Sequence, residues 1–342
     1  MIGARIGAEH LAAYRSLPAF DVRWVCDLDV ARARDVAKDA RVTTEIAEVL
    51  ADPDVDIVDI CLPPALHLTV ILDALAAGKH VVCEKPLVTR LADFEEVEAA
   101  AARAKRRVFP IFQYRYGPAT AALSVLAKAD LLGQPLVASL ETHWSRGSDY
   151  YATPWRGTWA GEQGGAILTH AIHIHDFLVR TFGPVASVFA RLGALVNQIE
   201  VEDCAALSLQ MTNGALATSS VTLGAATDTT RVRLVYTGLT ATSATIPYAP
   251  ADGDWTFTAR DPKRQAEADE ILATLPKAPS GFTGQFSAIA TALSGGDADA
   301  VSVHDARVAL EFVAAVYASH RSGGAVGLPL DPDHPYQESW LE

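Results

Sequence analysis

Short apolar runs alternate with amphipathic stretches through the first 112 residues of the chain. Runs with the length and composition of buried strands lie at 21–26, 55–62, 79–83 and 107–112. The spacing of apolar positions around them predicts helices over 8–17, 30–39, 66–77 and 91–104. Strands that alternate with helices of this length are typical of a parallel, doubly wound α/β sheet.

The pattern becomes strand-rich after about residue 135. Asn213-Gly214 separates two of the new strand patterns, and this dipeptide is a hairpin signal. Helical patterns at 164–182, 284–294 and 304–321 are expected to flank the sheet that these strands form. The sequence therefore predicts two domains: an α/β domain over 1–114, and an α+β domain over 115–342 with a large, mostly antiparallel open sheet.

Composition and charge limit the classes of partner. Half of the 342 residues are apolar and a fifth are charged, as in globular proteins, and the net charge of −13 argues against nucleic acid and anionic membranes. No apolar run is long enough to cross a bilayer and no secretion signal is visible, so we expect a cytoplasmic protein. The cysteines lack metal-ligand spacing, which favours core thiols at Cys26, Cys61, Cys83 and Cys204.

The N-terminal stretch MIGARIG carries a weak form of a phosphate-binding glycine turn. In a doubly wound fold, the backbone N–H groups of such a turn and of the following helix hold a pyrophosphate. The candidates here are Gly3, Ala4, Arg5, Ile6 and Gly7.

Asp27 ends the next strand, 20 residues after Gly7. A carboxylate at this place accepts hydrogen bonds from the adenosine ribose and repels a 2′-phosphate, so NAD is favoured over NADP. The alternative is that Asp27 only caps the helix that starts near Asp29.

The segment from Ile60 to Ala104 resembles the core of the Gfo/Idh/MocA oxidoreductases. Its matching residues occur in the family's order and spacing: Pro63, Pro64, His67, Gly78, Lys79, His80, Glu84, Lys85 and Pro86. The segments FQYRYGPA, PWRG and GGAILTHAIHIHD also fit, and the likeness extends over nearly the whole chain. The resemblance implies a Rossmann-like dinucleotide-binding domain followed by a domain for substrate binding and oligomerisation.

Family members usually begin with an apolar strand that enters a GxGxxG turn. In this alignment Ile2 and Ala4 take the first two glycine positions and only Gly7 matches, so we expect the first strand to be missing or truncated. Two explanations stay open: a start site placed too far downstream, or a protein that folds with a gap at its cofactor site.

The resemblance also implies site residues. Lys85, before a proline that is typically cis, stabilises the developing alkoxide, His173 serves as general base, and Thr169 stands where many members have a carboxylate. Glu84 is expected to orient its neighbours. The remaining cofactor-binding candidates that the family suggests are Leu62, Pro63, His67, Glu84, Lys85, Trp155 and Arg156.

The segment 143–165 is rich in aromatic and hydrogen-bonding side chains, which suits a sugar ring. The substrate-binding candidates are Arg115, Arg146, Asp149, Tyr150, Tyr151 and His170. We expect no metal, because His175 points about 200° away from His173 on a helix.

These residues together imply an NAD-dependent dehydrogenase for a sugar, cyclitol or sugar acid, a homodimer or homotetramer through the second sheet. Two alternatives stay open: a relative that retains NAD and cleaves glycosides by transient oxidation, and a non-catalytic homologue with an impaired cofactor site.

Overall fold

A computed structural model describes residues 1–341. The helices are α1 (Gly7–Arg15), α2 (Val30–Ala37), α3 (Ile46–Ala51), α4 (His67–Ala76), α5 (Asp93–Ala104), α6 (Pro118–Lys128), α7 (Ser148–Tyr151), α8 (Trp159–Glu162), α9 (Ile172–Phe182), α10 (Pro262–Ala273), α11 (Gly281–Leu293) and α12 (Val303–Ser322). The strands are β1 (Trp24–Cys26), β2 (Arg41–Thr43), β3 (Ile57–Ile60), β4 (His80–Cys83), β5 (Val108–Pro110), β6 (Pro135–Ser145), β7 (Val185–Gly193), β8 (Cys204–Met211), β9 (Leu216–Thr222), β10 (Gly224–Tyr236), β11 (Leu239–Thr242), β12 (Thr256–Ala259) and β13 (Val326–Gly327).

The chain forms two compact units, of which the first contains residues 1–112 and 282–308. Its strands are parallel: β1 pairs with β2, and β3, β4 and β5 pair in that order. Ile2 joins the two parts, because it bridges Cys26 on one side and Ile60 on the other. The segment around Ile2 therefore lies in the middle of a doubly wound sheet.

Four backbone hydrogen bonds hold the segment Met1–Gly3. Ile2 donates to the carbonyl of Asp59 (2.8 Å) and accepts from Cys61 (2.7 Å), while Met1 accepts from Cys26 (2.9 Å) and Gly3 donates to Cys26 (2.8 Å). Ile2 is fully buried. A short segment can hold this place because both of its edges are paired.

Helix α11 lies in the first unit, where Phe286 and Ile289 pack against Val82 and Phe109. The prediction that residues 284–294 flank the second sheet is wrong, because this apolar helix face instead completes the core beside β4 and β5. The assignment of the chain to domains over 1–114 and 115–342 stays a prediction.

The second unit contains residues 113–281 and 309–341. Its large sheet has the strand order β12-β11-β10-β6-β9-β8-β7-β13, and its pairings are antiparallel except for β6 with β9. The predicted turn at Asn213-Gly214 connects β8 to β9, with Gly214 at φ 86°. Along β8 and β9 burial alternates residue by residue, so one face of the sheet packs on the core and the other is exposed.

Within residues 1–341, no helix has the combination of length and apolar character needed to cross a membrane.

Candidate functional site

The glycine turn of the first unit lies where the segment around Ile2 passes into α1. Gly3 has φ 95°, and a Cβ there would be 2.3 Å from the carbonyl oxygen of Cys61, so both the backbone conformation and the space require glycine. Gly7 begins α1, and a Cβ there would be 2.4 Å from the sulfur of Met1. Arg5 and Ile6 are exposed on the turn, whereas Ala4 is buried.

The side chain of Asp27 is hydrogen-bonded to this turn. Its Oδ2 accepts a hydrogen bond from the amide of Ala4 (2.7 Å), and its Oδ1 accepts from the amide of Asp29 (2.8 Å). The side chain of Asp29, not that of Asp27, caps α2 by accepting from Arg32. The capping alternative for Asp27 is therefore wrong, while its ribose-binding role stays a prediction.

His10 is completely buried on α1, and no sequence motif identified it. Its Nδ1 lies 2.8 Å from Asp59 Oδ2, and its Nε2 lies 3.2 Å from Glu84 Oε1. Burial alone would lower the pKa of His10, but Asp59 and Cys61 raise it well above the ordinary value. The imidazolium form can donate to both carboxylates, which the neutral ring cannot do.

His10, Asp59 and Cys61 place three potential metal ligands within 4.8 Å of one another. The short contacts among them are hydrogen bonds, and burial raises the pKa of the Cys61 thiol to about 12. A protonated thiol is a poor metal ligand, so this chemistry favours a hydrogen-bonded cluster.

Glu84 and His67 hold the segment that carries Lys85. Glu84 Oε2 accepts from the backbone amide of Lys85 (3.0 Å), and the Lys85–Pro86 peptide is cis, as expected. His67 is buried, with Nδ1 2.8 Å from the carbonyl of Pro86 and Nε2 2.8 Å from that of Leu62.

Burial lowers the pKa of His67 more than these two carbonyls raise it. His67 therefore ties together the loops that follow β3 and β4. Pro63, next to Leu62, is exposed at this edge of the sheet. The structure thus brings Leu62, His67, Glu84 and Lys85 together around these two strand ends.

In the second unit, residues 167–171 form a π-helical turn that leads into α9. The buried carboxylate of Glu202 accepts from the amides of Gly165 (3.1 Å) and Ile167 (2.9 Å) and from the hydroxyl of Tyr317 (3.1 Å). Burial raises the pKa of Glu202 to about 7, although these donors act in the opposite direction. Glu202 thereby anchors the start of the helical segment that carries the candidate histidines.

Those histidines have different neighbours. Thr169 Oγ1 donates to the carbonyl of Gly165 (2.7 Å) and lies 2.6 Å from His170 Nδ1. The ring of His173 stacks on Tyr114 with centroids 5.0 Å apart. His175 Nε2 lies 2.9 Å from Ser219 Oγ, and burial lowers the pKa of His175 to about 3.

Arg115 makes a buried, bidentate ion pair with Asp176, with N–O distances of 2.7 and 2.5 Å. This pair connects the start of the second unit to α9. Arg115 has a structural role in this contact, and its role as a substrate ligand stays a prediction.

Arg146 lies at the end of β6 among aromatic rings. Its Nη1 donates to Asp228 Oδ2 (3.0 Å) and its Nη2 donates to the hydroxyl of Tyr248 (2.7 Å). Its guanidinium carbon is 5.2 Å from the centroid of Trp144 and 5.5 Å from that of Tyr150. Asp228 and Tyr248 were not found from the sequence, because each lies about 80 to 100 residues from Arg146.

A second guanidinium, that of Arg156, also lies against Tyr150. Arg156 stacks on the ring of Tyr150 (4.0 Å to the centroid) and on that of Trp155 (4.7 Å), and it pairs with Glu162 (3.3 Å). Tyr150 also lies 3.3 Å from His170 Nε2. Tyr151 packs edge-on against Tyr150, whereas Asp149 is exposed on α7.

Both units match family models. Residues 1–112 match the oxidoreductase family with the NAD-binding Rossmann fold, and residues 121–242 match the GFO/IDH/MocA C-terminal domain.

Two curated relatives and one solved structure illustrate the likeness. An uncharacterized oxidoreductase from Synechocystis is 31% identical over 62% of either chain. An inositol 2-dehydrogenase from Acidothermus cellulolyticus is 38% identical over 41% of this chain and 43% of its own. The matches thus span less than two thirds of these curated relatives.

The WlbA dehydrogenase from Chromobacterium violaceum, solved with NADH and UDP-GlcNAcA, is 28% identical with a TM-score of 0.84. The alignment covers 96% of this chain and 95% of that one.

Proposed function

Since this chain belongs to the Gfo/Idh/MocA oxidoreductase family, we propose that it is an NAD-dependent dehydrogenase. Its substrate would be a sugar-like polyol, which would react at a secondary hydroxyl group. The observation that carries this proposal is the glycine turn, in which Gly3 closely approaches Cys61 and Asp27 is bonded to Ala4.

The first unit has the features needed to hold the cofactor. The amides of Gly3 and Ala4 are bonded to Cys26 and Asp27, so the amides of Arg5, Ile6 and Gly7 at the start of α1 are the ones proposed to hold a pyrophosphate. Asp27, at the end of β1, would accept from the adenosine ribose and would repel the extra phosphate of NADP. Leu62 and Pro63 would contact the cofactor after β3, and Trp155 and Arg156 are further proposed cofactor contacts.

Two side chains of this protein are proposed to act on the substrate hydroxyl. His173 takes the proton of the substrate hydroxyl, and the ammonium group of Lys85 stabilises the negative charge that develops on that oxygen. When bound, NAD supplies the hydride acceptor. Thr169, which is bonded to His170 and to the carbonyl of Gly165, would orient this helical segment.

We further propose that the exposed face of the second sheet is the surface through which copies of the chain associate, and that the protein works in the cytoplasm. The support for association is the pattern of burial: Val137 and Leu216 are paired neighbours on this face, and they are 45% and 56% exposed.

The proposed function is tested by following NADH absorbance with a panel of sugars and polyols. Lys85→Ala should lower kcat by about a hundredfold or more, with a modest effect on NAD affinity. Lys128→Ala, on the exposed face of α6, is the control and should leave kcat unchanged.

Unchanged turnover in the Lys85 variant would refute its role. Cleavage of a glycoside without net NADH would instead indicate the NAD-retaining chemistry.

A further inference from the structure

The Arg146 cluster consists of Trp144, Arg146, Tyr150, Asp228 and Tyr248, all in the second unit. Tyr248 donates to Asp228 and accepts from Arg146, so these three groups form a closed triangle of hydrogen bonds. Trp144 packs against Tyr248 with ring centroids 4.5 Å apart and against His170 at 5.3 Å. The cluster is therefore continuous with the helical segment that carries Thr169 and His173.

Both guanidinium groups beside Tyr150 are neutralised by carboxylates. Arg146 pairs with Asp228, and the side chains are 15% and 21% exposed. Arg156 pairs with Glu162, and these side chains are 20% and 5% exposed. The two ion pairs, Arg146–Asp228 and Arg156–Glu162, thus contribute two positive and two negative charges, and no surplus positive charge is left to attract an anion.

An anionic substrate would have to compete with groups of this protein for Arg146. The Nη1 group of Arg146 donates to Asp228 and to the carbonyl of Ser145 (2.6 Å), while its Nη2 group donates to the hydroxyl of Tyr248. A carboxylate that displaces Asp228 from Nη1 leaves this partly buried group without its cationic partner, which is costly. A carboxylate that binds the remaining N–H groups of Arg146 instead lies beside the negative charge of Asp228 and is repelled by it.

An uncharged polyol meets no such penalty. A sugar hydroxyl is both a donor and an acceptor, so adjacent hydroxyls can donate to Asp228 and accept from the remaining N–H groups of Arg146. Tyr150, Trp144 and Tyr248 supply aromatic surface for the apolar face of the ring.

We infer that the Arg146 cluster makes the protein selective for an uncharged polyhydroxylated ring over the corresponding sugar acid, with Asp228 and Tyr248 as specificity-determining residues. This inference rests on the proposed function and narrows its substrate class, because the sequence left sugars, cyclitols and sugar acids open.

The test compares matched pairs that differ by one carboxylate, such as glucose with glucuronate and galactose with galacturonate. The wild-type protein should favour the neutral member in kcat/KM by about tenfold or more. Asp228→Asn keeps the shape of the side chain but frees the charge of Arg146, so the preference should shift towards the acid by about tenfold. Tyr248→Phe should shift it in the same direction by a smaller factor.

Asp254→Asn is the matched control, because it removes the same charge from an exposed position in the same unit and should leave the preference unchanged. A wild-type preference for the acid would overturn the inference while leaving the dehydrogenase intact. Equal losses for both members of a pair in Asp228→Asn would also overturn it.

Calorimetric measurement of the affinities for the same pairs tests the selectivity without turnover. If no NADH forms with any pair, the proposed function fails, and the relative affinity for the neutral sugar still supports or refutes the selectivity.

Discussion

At the residue scale, His10 shows how a single buried side chain connects three parts of the first unit. Its ring lies between Asp59 on β3 and Glu84 after β4, while its backbone belongs to the helix that follows the glycine turn. Glu84 in turn accepts from the amide of Lys85. His10 is therefore a positioning residue for the segment that carries the proposed catalytic lysine.

Two substitutions separate the contacts of His10. The amide of His10→Asn reaches the place of Nδ1 beside Asp59, whereas the amide of His10→Gln reaches the place of Nε2 beside Glu84. Both should cost about 3 kcal/mol of unfolding free energy, because a buried carboxylate loses its cation. In turnover assays kcat should fall more in His10→Asn, which loses the link to Glu84. Equal kcat values for both variants and the wild type would leave His10 a purely structural residue.

The charge of His10 also predicts a pH dependence of stability. The folded protein raises the pKa of His10 well above 6.5, so the protonated form is favoured by folding. This contribution is complete below the unfolded pKa of about 6.5 and is lost as the pH rises through the folded pKa. Urea unfolding above pH 6.5 should show this loss in the wild type and in the control His304→Asn, but not in His10→Asn.

At the element scale, the start of the helical segment before α9 depends on Glu202. This carboxylate accepts hydrogen bonds from the amides of Gly165 and Ile167, as an anion at the start of a helix does. Its complete burial nevertheless makes the charge costly, and the pKa of Glu202 is raised from 4.5 to about 7. The cap therefore takes up a proton at a higher pH than an exposed glutamate does.

The pKa of Glu202 predicts a second pH dependence, in a different range. Between pH 4.5 and about 7 the folded state binds more protons than the unfolded state, so this contribution to stability falls as the pH rises through that range. Glu202→Gln should remove this part of the slope when unfolding is measured at pH 5 and pH 8. The exposed Glu267→Gln is the control, and identical slopes in wild type and Glu202→Gln would contradict the assignment.

Elements with strong apolar periodicity were predictable from the sequence, and weakly patterned ones were not. The helices around 67–76 and 93–104 and the strands β3 and β4 agree with prediction. Helix α10 was missed because, of its residues, only Ala268 is buried, which leaves little periodic signal. The π-helical turn at 167–171 was read as ordinary helix, because a one-residue insertion into a helix leaves no mark in the hydrophobic pattern.

Long-range contacts limit what the sequence shows of the site. Lys85, Asp27 and the glycine turn stand in recognisable local motifs, and the structure finds them at strand ends. Asp228 has no such motif, and it reaches Arg146 through an irregular register between Gly224 and Thr229 on β10. Its part in the site follows from sheet pairing across 82 residues.

At the scale of the whole molecule, the second sheet has one face that the chain itself leaves uncovered. Alternate residues of β8 and β9 point outward, and the exposed apolar members include Leu216 on β9 and Phe189 on β7. The antiparallel pairing explains this pattern, since such sheets can be buried on one side and exposed on the other. Apolar side chains that lie side by side on an exposed face are typical of an association surface.

The last prediction concerns association through this face. Val137 and Leu216 are direct neighbours on β6 and β9, so Val137→Lys with Leu216→Glu places an ion pair where two apolar side chains stood. Because both positions are exposed, the unfolding free energy should change by about 0.5 kcal/mol or less. If copies pack here, light scattering after size exclusion should show a smaller assembly for the double variant, since two desolvated charges oppose the contact. Leu195→Glu, on an exposed loop outside the strands, should leave the mass unchanged. A double variant with the same mass as the wild type would contradict association through this face.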